Sequence, residues 1–358
     1  MTEKTRRRSY AYVSSFSPGA SNIQGSGISV LKFNQISGKL TIIQQINRRD
    51  ASWMTFDTHH RFLYVCYSLR DEKFQPIERL ESYRVDDFSG KLTLLNCLSI
   101  KSGPAHMTVS PDGQFLIVAN YYFGNFSVWR LHTNGQIGDL VDQLQDHGFG
   151  PNPRQESAHP HSVVFDPMHH FIGTTDLGND QISILRLVSG KLIRVCSTSL
   201  PAGTGPRHLV FSPDGKFLYT IGELDGSINS FEYNQEDGRI GLQIQRILST
   251  PADFKGTQAG AEIMVDPTGN YLFASNRGSK SITSYQIEPQ TGKLVLVNSV
   301  SNNITNPTCF TIDPLGEWLY VPNNGGRDII QFAIDSQTGK LAETSNKTQL
   351  NAPSVMLF

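Results

Sequence analysis

Apolar residues in this chain fall into short runs, each closed by Gly, Pro, Asn, Asp or Ser, and long helical periodicity is absent. Six times a short apolar run, a tight turn and a longer apolar run follow one another. The copies are "WMTFDTHHRFLYVCY", "HMTVSPDGQFLIVAN", "SVVFDPMHHFIGTTD", "HLVFSPDGKFLYTIG", "EIMVDPTGNYLFASN" and "CFTIDPLGEWLYVPN". Pro presets φ and Gly tolerates φ > 0, so Pro-Asp-Gly and Asp-Pro between β-rich runs predict hairpins. A third run follows, as in "NFSVWRL", "QISILRL" and "SITSYQI". A fourth begins at a recurring tripeptide: "GKL" at 38, 90, 190, 292 and 339, "GQI" at 135 and "GRI" at 238.

Each unit is therefore a four-stranded antiparallel sheet of roughly 50 residues, repeated along the chain. Six hairpins against seven "GKL"-type turns leave one unit incomplete, and the chain ends supply it. "NAPSVMLF" matches an innermost strand, while "YAYVSS", "GISVLKF" and "GKLTII" provide the other three. The expected fold is all-β: a seven-bladed β-propeller closed by N- and C-terminal strands sharing one blade. Residues 1–358 read as one domain, with residues 1–8 as a flexible basic tail.

Composition narrows the partners. Lys+Arg is 31 and Asp+Glu 32, a net charge of -1 that offers no general field for nucleic acid. No apolar run reaches a membrane span, and none follows the N-terminal arginines to make an export signal. Cys66, Cys97, Cys196 and Cys309 form no C-x-x-C pair and read as buried free thiols in a cytoplasmic protein. No metal or cofactor motif is present, and no feature sets an oligomeric state.

Comparing blades with each other separates scaffold from chemistry. The position opening each innermost strand reads Ser52, Ala105, His161, Arg207, Ala261, Thr308 and Ser354. The position just past each second strand reads Phe16, Ser68, Tyr121, Leu177, Glu223, Arg277 and Asn324. Adjacent antiparallel strands bring the start of one and the end of the other to the same rim. His161, Arg207, Glu223 and Arg277 thus gather on one face from three consecutive blades. Glu262 is a reserve candidate. His59-His60 and His169-His170 lie in turns at the opposite rim, expected to face solvent. Asn120, Asp176, Asn276 and Asn323 could ring a cation, though such residues more often close turns.

Two arginines, a histidine and a glutamate suit a small anionic, oxygen-rich substrate. No Ser or Cys nucleophile motif is present, so attack by activated water fits best. Hydrolysis of an ester or lactone fits this set, and so does the reverse, lactone-forming cyclisation.

At "NPRQESAHPHSVVFDP", "GTGPRHLVFSPDGKFLYTIGELDGSI" and "AEIMVDPTGNYLFASNRGSKSI" the sequence resembles the propeller lactonase family. That family includes bacterial propeller-type 6-phosphogluconolactonases and fungal 3-carboxymuconate lactonising enzymes. The resemblance implies metal-free, cofactor-free hydrolysis of 6-phosphogluconolactone in the pentose phosphate pathway, with a small anionic sugar lactone as the partner molecule. It implies a site of His161, Arg207, Glu223 and Arg277, with His159 as a substrate or supporting contact. Either His161 or Glu223 could be the base. One departure concerns "NPTCF", where Thr308 stands in place of the arginine that many bacterial members carry. The alternatives are a cyclase for a muconate-type diacid and a non-catalytic scaffold that binds protein at its rim.

Overall fold

A computed structural model describes residues 9–16, 24–48, 50–70, 76–251 and 253–358. The expected basic tail at residues 1–8 lies outside them. Among the described residues there are seven four-stranded sheets and no helix, hence none long and apolar enough to cross a membrane. One sheet joins β28 (Pro353–Leu357) to β1 (Tyr10–Ser15), β2 (Ile28–Phe33) and β3 (Leu40–Ile46). The two chain ends do share a blade.

Position within a blade dictates composition. The second strands β9 (Phe115–Asn120), β17 (Phe217–Gly222) and β21 (Tyr271–Asn276) are buried at every residue. They are sandwiched between neighbouring blades, so near-continuous apolar runs are what they require. The outer strands β15 (Lys191–Ser199) and β27 (Leu341–Gln349) alternate between buried or half-buried and exposed positions. Apolar clusters form between blades rather than within them: Tyr12 and Val30 pack with Met54, Leu63 and Tyr83 of the next sheet. Removing each such side chain from water contributes about 1.5–3 kcal/mol.

The recurring glycine has a packing reason. Gly90, Gly135 and Gly292 all have φ near +66° to +88°. A Cβ at Gly135 would sit 2.2 Å from the ring of Phe62, and one at Gly292 would sit 2.4 Å from Phe217. The same turns are bonded across blades, because Tyr12 Oη donates to Gly90 O at 2.8 Å and Tyr320 Oη to Gly38 O at 2.6 Å. The "GKL" turn is therefore a blade-to-blade latch as well as a reversal.

The sequence pattern does not show a bulge that recurs at the start of the innermost strands. In β12 (Pro160–Phe165), Pro160 pairs with Asp176 and Ser162 with Thr175, leaving His161 as the extra residue. β16 (Pro206–Phe211) does the same around Arg207, β8 (Pro104–Val109) around Ala105 and β4 (Ala51–Phe56) around Ser52. β20 (Gly260–Val265) has its irregularity across Ala261 and Glu262. A bulge re-aims side chains, so two consecutive residues per blade can address the channel. The cysteines depart from expectation: Cys66 and Cys309 are buried, Cys196 is half-buried and Cys97 is exposed. Cys97 stands on an outer strand, where alternate residues meet water.

Candidate active site

A cavity of about 730 Å³ opens at the rim carrying both columns. Six positions of each column line it; the exceptions, Ala261 and Leu177, are buried outright. His161, Arg207, Glu223 and Arg277 all face it, as does His159.

Glu223 is the hub. It sits just past the end of β17 and is almost fully buried. Its Oε1 lies 2.9 Å from Arg277 Nη2 and 2.5 Å from Arg154 Nη1. Its Oε2 lies 3.2 Å from Arg207 Nε, close enough for an ion pair but without hydrogen-bond alignment. Burial alone would raise the pKa of Glu223, but Arg277, Arg207, His161 and Arg154 hold it far below the ordinary value. The carboxylate is ionised and fully engaged.

Arg207 is fixed from several sides. Its Nη1 donates to Ala261 O at 2.8 Å, and Thr175 Oγ1 donates to the Arg207 carbonyl at 2.6 Å. Burial and neighbouring Arg277 draw its pKa down, with Glu223 opposing them. Arg277 Nη2 also reaches Gly260 O at 3.4 Å. His161 carries a buried Nδ1 with no protein hydrogen-bond partner. Burial, then Arg207 and His208, push its pKa well below 6.5, so the imidazole is neutral at physiological pH.

His159 faces the cavity but is committed to structure. Its ring stacks on Tyr121 at 4.4 Å, Nδ1 donates to Tyr121 O at 2.8 Å, and Nε2 lies 3.2 Å from Glu156. Asp176 and Asn276 spend their Oδ1 atoms on backbone N–H groups, those of Gly178 and Asn179 and those of Gly278 and Ser279. These are the turn-closing roles. His59, His169 and His170 are exposed in the opposite turns, and His60 is partly so.

Blade comparison could not find Arg154, because it sits on an inter-sheet crossing that has no repeat equivalent. Residues 146–159 between β11 (Ile137–Gln145) and β12 form the longest such connection among the described residues. Gln155 anchors it, donating to Leu177 O and Asp180 Oδ1, each at 2.8 Å. Asp180 also accepts the N–H groups of Gly203 and Gly205, which lead into Arg207. One buried carboxylate thus ties down the approaches to both arginines. Gly178 lets the crossing lie close, since a Cβ there would stand 1.7 Å from Ser157 O. The only sequence signal for Arg154 was its place beside the "HPH" element.

The lactonase, seven-bladed β-propeller family model matches residues 10–358. The chain belongs to that family. This lactonase is 33% identical to a 6-phosphogluconolactonase of Bacillus subtilis, over 69% of its own length and 70% of the relative's. A 6-phosphogluconolactonase of Pectobacterium atrosepticum is 30% identical over 77% of this chain and 78% of that one. Among solved structures, the periplasmic gluconolactonase of Pseudomonas aeruginosa superposes with a TM-score of 0.89 at 27% identity, covering 97% and 98% of the two chains.

Proposed function

We propose that this lactonase hydrolyses a phosphorylated sugar-acid lactone, 6-phosphogluconolactone to 6-phosphogluconate, at the Glu223-centred cavity. Charge balance carries the reading. Three guanidinium groups converge on one buried carboxylate beside a neutral imidazole, so the cations outnumber the carboxylate they hold; the other carboxylates nearby are Glu156, exposed on the rim, and Glu262, behind Arg207. A phosphate monoester brings about two negative charges near neutral pH, and Arg binds its oxygens bidentately. The relatives named 6-phosphogluconolactonase support the same substrate. The reaction would then serve the pentose phosphate pathway, in the cytoplasm as the sequence leads us to expect.

Of the two candidate bases, the geometry favours His161. Glu223 is held by three cations and far too weakly basic, whereas His161 lines the cavity as a neutral imidazole. In the proposed sequence His161 takes a proton from water, and the hydroxide adds to the lactone carbonyl. Arg207 and Arg277 hold the anionic group and stabilise the oxyanion. Collapse breaks the ring C–O bond, and the imidazolium returns its proton to the departing oxygen. Glu223 orients the arginines.

The test is lactone opening followed in a pH-stat and corrected for the spontaneous rate. His161→Gln should lower kcat by about 10²–10⁴-fold. Undiminished rates in His161→Gln, Arg207→Ala and Arg277→Ala together would reject the site. A muconate included in the substrate panel checks the cyclase alternative directly.

A further inference from the structure

Beneath the cavity floor lies a second tier that the reaction as described does not use. Its members directly follow the bulge positions: Trp53, His106, His208 and Glu262, with Cys309 after Thr308. His208 and Glu262 are nearly fully buried. His208 is boxed by aromatic edges, with Trp53, His106 and His161 each 5.3 Å away between ring centres.

Arg207 Nη1 lies 3.1 Å from His208 Nε2 and 3.5 Å from Nδ1. No in-plane hydrogen bond is that close to both ring nitrogens, so the guanidinium lies over the imidazole face. A cation over a ring face is attracted only if the ring is neutral. Below it, His208 Nδ1 stands 2.8 Å from Glu262 Oε1, which also accepts the Ile263 N–H at 3.1 Å. The ring proton is thereby assigned to Nδ1, donated to the carboxylate. Glu262 Oε2 is buried with no hydrogen-bond partner.

We infer that Glu262 and His208 are positioning residues: the carboxylate orients and enriches the imidazole, and the imidazole face seats the Arg207 guanidinium against Glu223. This rests on the function proposed above. Neither residue touches substrate; both act through Arg207, as outer partners orient metal-bound histidines elsewhere. The groups facing Glu262 are Arg207 and His208 from β16, His106 from β8, Cys309 ahead of β24 (Thr311–Ile312), and Ser275 of β21, whose Oγ accepts the Glu262 N–H. Burial, opposed by Arg207, raises the Glu262 pKa to about 6. Protonation there removes the charge under the stack, so kcat/KM falls as pH drops through the Glu262 pKa of about 6.

A double-mutant cycle with the full-length enzyme tests this. Glu262→Gln keeps an oxygen for His208 and loses only the charge. It should lower kcat/KM about tenfold, within the span that removing an orienting partner costs, and move the acid limb below its wild-type position. In an Arg207→Ala background it should cost nothing further. His208→Asn keeps a donor for Glu262 but removes the ring, and should cost at least as much, again without effect once Arg207 is gone. Thermal midpoints report folding, and His208→Asn carries the test if Glu262→Gln does not fold. Losses that add in the Arg207→Ala background, or an unmoved acid limb, overturn the inference and leave the proposed function standing. A fully active Arg207→Ala overturns both.

Discussion

Arg154 and Glu223, 69 positions apart in the chain, meet at 2.5 Å over the cavity. Arg154 is about half exposed, and its second amino group reaches Tyr121 Oη at 3.3 Å. Among the three guanidinium groups on Glu223 it is the most solvent-exposed, which leaves it free to turn to an incoming anion. Arg154→Ala should raise KM for a phosphorylated lactone by about 10–100-fold, the worth of one hydrogen bond to a charged group. KM for an unphosphorylated gluconolactone should barely change. Equal effects on both substrates would remove Arg154 from anion recognition.

Glu223→Gln should injure the fold as well as the chemistry. It strips a buried counter-charge from three arginines, and breaking a buried ion pair by removing one partner costs about 3–5 kcal/mol. The sign with pH follows from its depressed pKa. The unfolded chain takes up this proton near the ordinary glutamate value of 4.5, and the native state does not. This contribution is present above that value and is lost as pH falls through the native one. Thermal midpoints from pH 7 downward should show the gap between wild type and Glu223→Gln closing below about 4.5. A gap independent of pH would mean that the carboxylate charge is not what the fold uses.

Gly178→Ala tests whether the crossing that carries Arg154 must lie tight. A methyl group cannot stand 1.7 Å from Ser157 O, so residues 146–159 would be pushed outward. We expect faster proteolytic cleavage within that segment and a fall in kcat/KM, with the rest of the blades still resistant. Unchanged cleavage would show that the turn absorbs the methyl.

Thr308 lines the cavity, and its Oγ1 is buried without a hydrogen-bond partner. Thr308→Arg adds a charge on the side where this chain has none in either column. It should raise the kcat/KM ratio of phosphorylated to unphosphorylated lactone by about tenfold, roughly one charge-assisted contact. A lower ratio would place the phosphate away from this sector.

The seven blades, the shared first blade and the rim cluster were all legible, because each is written in period or in a break from period. His161 and Arg207 stood out from Ala105 and Ser52 at equivalent positions. Arg154 was invisible to that comparison, since no other blade has a counterpart of its segment. The second tier was hidden for a different reason. Strand alternation sends neighbours to opposite faces, so His208 directly after Arg207 reads as belonging elsewhere; only the extra residue in the ladder returns both to the channel. Glu262 surfaced as a reserve candidate through its charge alone.

That extra residue has an evolutionary consequence. In four sheets it yields a couple, an outer member that lines the cavity and an inner member directly after it: Ser52 and Trp53, Ala105 and His106, His161 and Ser162, Arg207 and His208. On the function proposed above, exchange at the outer places would change what is accepted, while exchange at the inner places would change how firmly it is presented. Neither kind disturbs the latches holding sheet to sheet, so affinity and rigidity can drift in separate steps on an unaltered frame.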